Sequence, residues 1–412
     1  MGKEGLIVGL DLGTTKVACV IAEEKEDGEE VSIVGVGTTP SEGLRRGVVV
    51  NLDKTVSSIK KAVAEAELMA GVRVEEVIAG IAGDHIRSIN SRGVIAVSRP
   101  GFEITPKDVS RVLEQARAIA IPMDREIIHV LPQEFIVDDQ GGIKDPVGMS
   151  GVRLEAVVHI VTSALTSAQN IFRAIERSGI RVRDIVLQPL ASSLAVLDSE
   201  ERELGCLLID IGGGTTDLAL FYDGTLRYSS VIGLGGVNVT NDIAIGLRTP
   251  RAQAEFIKTE NGCTLSSLVQ EGEKIRVPGV GGREEREVTS HVLSAIVEPR
   301  LEEIFSLATR EMKKSDYGDL IGAGVVLTGG TARMRGIQQL AEQVFDLPVK
   351  IGIPKGIGGL TEIVSNPLYA TGVGLVLYGF ENQKNGSHRS FNGFPIFDRI
   401  IDRMKSWFSE SL

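Results

Sequence analysis

The sequence predicts an α/β protein of two lobes, each built on a copy of one strand–turn–strand unit, with inserted subdomains and a C-terminal amphipathic helix. Three observations carry this expectation: a glycine- and threonine-rich turn that occurs twice, a chain of 412 residues, too long for one core, and a polar spacer before the last apolar segment.

The first unit is GLIVGLDLGTTKVACVIAE (Gly5 to Glu23), an apolar strand, an Asp-x-Gly-Thr-Thr turn and a second apolar strand. The start, MGKEGLIVGLDLG, runs straight into this strand and reads as lacking a signal peptide. ELGCLLIDIGGGTTDLALFYDG (Glu203 to Gly224) repeats the plan, with Asp210 lying 199 positions after Asp11. Each unit predicts a β-hairpin whose turn offers small residues: Gly13, Thr14 and Thr15 in the first, Gly212, Gly213, Gly214, Thr215 and Thr216 in the second. Glycine lets a backbone approach phosphate oxygens closely, and converging N–H dipoles with threonine hydroxyls suit an anion. Asp11 and Asp210, at the strand ends, are placed to orient waters on a bound Mg²⁺, which keeps most of its hydration shell. Lys16 supplies a point charge. One such turn fits an ordinary hairpin equally well; a copy in each half predicts a nucleotide clamped between lobes. Neither GxxxxGK[ST] nor a strand-linked GxGxxG occurs, which disfavours P-loop and dinucleotide-binding readings.

Between the hairpins, Asp53 to Gly71 predicts a helix, and about Asp84 to Ser163 an insertion. TPKDVSRVLEQARAIA within it predicts a helix with Thr105 as N-cap and Pro106 in its first turn. The runs REIIHVLPQEFIVD and RLEAVVHIVTS read as strands. DIVLQPLASSLAVL (Asp184 to Leu197) is a strand entering a helix of small residues, with Gln188 at the junction. That amide either positions an attacking water or caps the helix. GVVLTGGTARMRG (Gly324 to Gly336) is a buried strand, a turn at Gly329 and Gly330, then a helix, as a backbone passing close to a nucleotide requires. Glu255 and Lys258, in AEFIKTENG, read by themselves as a surface i, i+3 ion pair.

The order of these segments, ending in a second connecting helix (YATGVGLVLYG, Tyr369 to Gly379), resembles the actin, Hsp70 and sugar-kinase superfamily. That resemblance implies an actin-like two-lobed ATPase fold of duplicated ribonuclease-H-like cores binding ATP and Mg²⁺, and it assigns Glu255 and Lys258 to the adenine and ribose. HVLPQEFIVDDQGGIKDPVGMSGVRLEAVVHIVT, GLGGVNVTNDIAIGLRTPRAQAEFIKTENG and the closing helix resemble the bacterial cell-division FtsA family, over Leu6 to about Phe380 and again at the tail.

This resemblance implies a first lobe of residues 1–83, 164–200 and 358–380, with a family-specific subdomain at 84–163. A second lobe spans 201–236 and 306–357, with its own subdomain at 237–305 on the adenine side. It also implies docking of the C-terminal peptide of tubulin-like FtsZ, in which Arg300 of VEPRLEEIF matches an arginine the family uses; by pattern alone Arg300 is a solvated helix-face residue. Finally it implies actin-like self-assembly into filaments, contacts with other division proteins, and a peripheral place on the cytoplasmic face of the membrane at the division site. A slow ATPase is compatible with the residue set, and the alternatives within the superfamily are a small-molecule kinase and a pilus-assembly homologue.

The tail is the segment that composition leaves unexplained. ENQKNGSHRSFNG precedes it, and residues 381–394 read as a flexible linker. In residues 395–412 a helical projection gathers Ile396, Phe397, Ile400, Ile401, Met404, Trp407 and Phe408 within roughly 140°. The longest apolar run there is too short to span a bilayer. Such a helix either packs on its own domain or lies on a membrane or partner; its tether favours the membrane surface. A net charge of −11 argues against a nucleic-acid partner. The three dispersed cysteines, with no CxxC pair, suit a reducing compartment, and with five scattered histidines they make a Cys/His metal centre unexpected.

Overall fold

A computed structural model describes residues 5–25, 30–97, 101 and 103–384. The expected membrane-facing residues, Ile396 to Phe408, lie outside them.

The duplication appears as two sheets with the same plan. In the first lobe the strands run in the order Arg181–Leu187, Glu76–Ile81, Leu6–Leu12, Lys16–Glu24, Val31–Pro40, with Ile357–Gly359 added at the end. In the second the order is Val349–Ile351, Val325–Thr328, Cys206–Ile211, Thr216–Tyr222, Thr225–Ile232. Each has an antiparallel three-stranded meander followed by two strands parallel to its first. The central strands are buried almost throughout, as their continuous apolar runs require.

The helix Leu52–Ala70 covers the first sheet; Asn51 caps it by accepting the Lys54 N–H, and left-handed Gly71 ends it. The insertion is a separate four-stranded antiparallel sheet, ordered Arg87–Ala96, Arg153–Ala164, Arg125–Val137, Gln140–Ile143. Helix Pro106–Arg117 packs on it through Val112, Leu113 and Ala116, and its start is a capping box of Thr105 and Asp108.

One contact was not legible in the sequence. Although the insertion grows out of the first lobe, it docks on the second, along the edge strand Thr225–Ile232. Ser88 Oγ donates to the Ser229 carbonyl at 2.7 Å, and Gln133 Nε2 donates to the carbonyls of Leu226 and Arg227 at 2.9 and 3.1 Å. His159 joins the seam, with Nδ1 2.7 Å from Asn90 Oδ1 and Nε2 2.9 Å from Ser229 Oγ. Residues 381–384 of the expected linker belong to the last described helix, Ala370–Lys384, and the rest of it lies outside the described residues. Among the described residues no helix is long and apolar enough to cross a membrane.

Candidate functional site

Both repeated units fold as the predicted hairpins, and their turns close identically. The Gly13 N–H bonds the Lys16 carbonyl and the Gly212 N–H bonds the Thr215 carbonyl, each at 3.0 Å. Thr14 and Thr15 form the crest of one turn, Gly213 and Gly214 that of the other, and the crests meet. A Cβ on Gly214 would lie 2.5 Å from Thr14 Oγ1, and one on Gly213 would lie 2.7 Å from Thr15 Oγ1. Only glycine allows so close an approach of the two lobes.

The cleft around this contact is open to solvent. It is lined by Asp11, Gly13, Thr14, Thr15, Lys16, Gln188, Asp210, Gly212, Gly213, Gly214, Thr215, Gly329 and Gly330, all singled out from the sequence. Thr216 departs from that set: it is fully buried, with its hydroxyl bonded to the Leu234 carbonyl inside the second lobe.

The electrostatics follow from burial. Asp11 sits at the end of its strand, 7% exposed, and burial pushes its pKa up to about 6 against the pull of Lys16. Asp210 is raised too, although Ser192 Oγ at 2.8 Å and Thr371 Oγ1 at 3.3 Å donate to its Oδ2. Asp217 was missed by sequence reasoning; burial pushes it to about 8. Its Oδ2 accepts from Thr215 Oγ1 at 3.0 Å, while the buried Oδ1 has no partner among the described residues. The signal was the aspartate closing GGGTTD, which alternation alone marks as an ordinary strand residue.

Gln188 opens the helix Gln188–Val196 but does not cap it; its Nε2 donates to Asp11 Oδ1 at 3.1 Å. Of the two roles open for this amide, capping is excluded. Glu255 and Lys258 are not a surface pair either. Lys258 is buried, and its Nζ donates to the Gly236 carbonyl at 3.2 Å, to Thr240 Oγ1 at 2.9 Å and to Glu255 Oε2 at 2.8 Å. Because the Gly236 N–H bonds the Gly212 carbonyl at 2.9 Å, this cluster backs onto the second turn. Arg300 lies elsewhere, on the helix Ser290–Met312, with Nε 2.6 Å from Asp242 Oδ2 and a second contact to Glu303.

Known proteins resemble this chain over nearly all of its length. Residues 207–374 match the family model described as cell division protein FtsA, and residues 83–162 match the SHS2 domain inserted in FtsA. A Pseudomonas aeruginosa protein named cell division protein FtsA is 48% identical over 98% of this chain and 97% of its own length. This chain belongs to the FtsA family. An Escherichia coli K12 protein of the same name is 41% identical over 98% of this chain and 95% of its own length. Family membership makes the chain an actin-like cell-division protein.

Solved structures agree on the fold. The PilM–PilN type IV pilus biogenesis complex aligns with TM-score 0.65 at 17% identity, covering 92% of this chain and 99% of that one. MreB5 of Spiroplasma citri bound to AMPPNP aligns with TM-score 0.58 at 17% identity, over 93% and 99%.

Proposed function

We propose that this chain binds ATP with Mg²⁺ in the interlobe cleft, assembles into actin-like filaments on the cytoplasmic membrane, and tethers FtsZ there. The observation that supports it best is the pair of identically closed turns, one from each lobe, meeting over Asp11, Lys16 and Asp210. The donor set fits a nucleotide–metal pair. Thr14, Thr15, Gly213, Gly214 and Lys16 would hold the phosphates, and Gly329 and Gly330 would lie against the nucleoside. Asp11 and Asp210 would hold hydrated Mg²⁺, whose charge offsets the cost of ionising buried carboxylates. Gln188, fixed on Asp11, is placed to orient a water.

The same reading assigns Glu255 and Lys258 to the adenine and ribose and Arg300 to the FtsZ C-terminal peptide. Arg300 stands between Asp242 and Glu303, so an acidic peptide would have to compete with those carboxylates for it. The tail supplies weak, reversible lipid binding, and several tails on one filament bind as a unit. Purified protein should take up ATP and sediment with anionic vesicles carrying FtsZ along. Loss of ATP uptake on replacing both Gly213 and Gly214 by valine, with membrane sedimentation retained, would separate the two halves of the proposal; an intact protein that takes up no ATP would end it.

A further inference from the structure

The lysine of the first turn does not point at a carboxylate alone. Lys16 Nζ donates to the Leu368 carbonyl at 2.6 Å, lies 3.7 Å from Asp11 Oδ2, and sits 4.7 Å from the centre of the Tyr369 ring. An ammonium has three protons to place. Here one goes to a backbone carbonyl, one toward a carboxylate, and the remaining side of the group faces an aromatic ring. Burial lowers the pKa of Lys16, opposed by Asp11 and Asp210, and a ring face adds to that opposition without taking a proton or adding net charge.

Tyr369 is itself held firmly. It closes the short turn Pro367–Tyr369, where Asn366 Oδ1 accepts the Leu368 N–H at 3.0 Å and the Asn366 carbonyl accepts the Tyr369 N–H at 2.9 Å. Its hydroxyl lies near the side chain of Thr38. Thr38 stands on the strand paired with the one that begins at Lys16, where Lys16 lies opposite Pro40 and Ala18 opposite Thr38. The turn thus fixes the backbone from which the ring reaches the ammonium. Pro367 and Leu368 line the same cleft as the two turns.

We propose that Tyr369 positions Lys16, its ring face holding the ammonium at the cleft for the phosphates of a nucleoside triphosphate. The assignment rests on the nucleotide reading above. It differs from packing in a measurable way, because packing depends on the ring's shape whereas this contact depends on the ring's electron density.

The test uses the full chain and ATP binding by calorimetry, with the unfolding midpoint measured without nucleotide. Tyr369→Leu should weaken ATP by about tenfold, and Tyr369→Phe should restore most of that loss. Should the leucine variant not fold, phenylalanine bearing successive ring fluorines at position 369 keeps the shape while draining the ring face. The expected result is an ATP Kd that rises with each fluorine while the nucleotide-free midpoint stays level. A flat Kd across that series overturns the proposal and leaves Tyr369 a packing residue. Wild-type protein that takes up no ATP would instead overturn the nucleotide reading, and this assignment with it.

Discussion

His159 Nε2 lies 2.9 Å from Ser229 Oγ, a contact between the inserted sheet and the second lobe that places a buried imidazole on the seam between them. Burial drives its pKa down to about 4, so the ring is neutral in the folded protein near neutral pH. An unfolded chain protonates the same ring near 6.5. Between those values the unfolded state binds more protons, so this residue makes stability fall as pH falls. The slope approaches about 1.4 kcal/mol per pH unit. His159→Gln, which keeps a donor and an acceptor, should flatten the stability curve between pH 6.5 and about 4 relative to wild type. Parallel urea midpoints across that range would refute the burial argument.

The carboxylate of Asp217 works in the opposite sense. Its folded pKa of about 8 stands above the ordinary 3.8, so the folded state holds the extra proton and loses stability as pH rises through that interval. Asp217→Asn keeps the acceptor for Thr215 and removes the titration. Nucleotide-free, chelated protein carrying it should melt higher than wild type above pH 8 and no differently near pH 4. A melting advantage of equal size at both pH values would show that charge burial is not the cause.

Where Gly213 meets Thr15, an added methyl has no room unless the Thr15 side chain turns aside or the lobes separate. Gly213→Ala is therefore expected to leave the fold nearly as stable as wild type while weakening ATP by about tenfold or more. Unchanged ATP affinity in a calorimetric titration would mean that this close approach is not kept when nucleotide binds.

Trp407 is the only tryptophan, and it lies in the tail. Its emission should shift to the blue when anionic vesicles are added, and do so at lower lipid concentration with MgATP present. Deleting residues 395–412 should abolish vesicle binding and leave ATP binding intact. An emission already blue and indifferent to vesicles would place the tail on the protein body.

Much of this was legible in the sequence because the signals are local. The two hairpins are written in apolar strands flanking small-residue turns, and the cap at Thr105 in its own four residues. Gln188 was legible as a junction residue, but the carboxylate its amide points to lies 177 positions away and has no local trace. The same limit hid Asp217, whose strangeness comes from burial and not from its neighbours. It also turned Lys258 into a surface residue on paper: spacing with Glu255 is a property of one helix, whereas the Gly236 carbonyl that fixes it belongs to another. The docking of the insertion across the lobes escaped for that reason too.

That docking leaves the second sheet with an edge strand whose carbonyls at Leu226, Arg227 and Ser229 are taken by side chains instead of by a neighbouring strand. An open edge is a template for the wrong partner, whether a misfolded copy or a nascent chain. Here the lid over it is made of amides and hydroxyls and forms no ladder, so it shields the edge without extending the sheet. Excising residues 84–163 would therefore cost the protein solubility as well as a subdomain, because it would uncover an adhesive border. On the assembly proposed above, guarding against the disorderly kind would be a role for the insertion before any partner arrives.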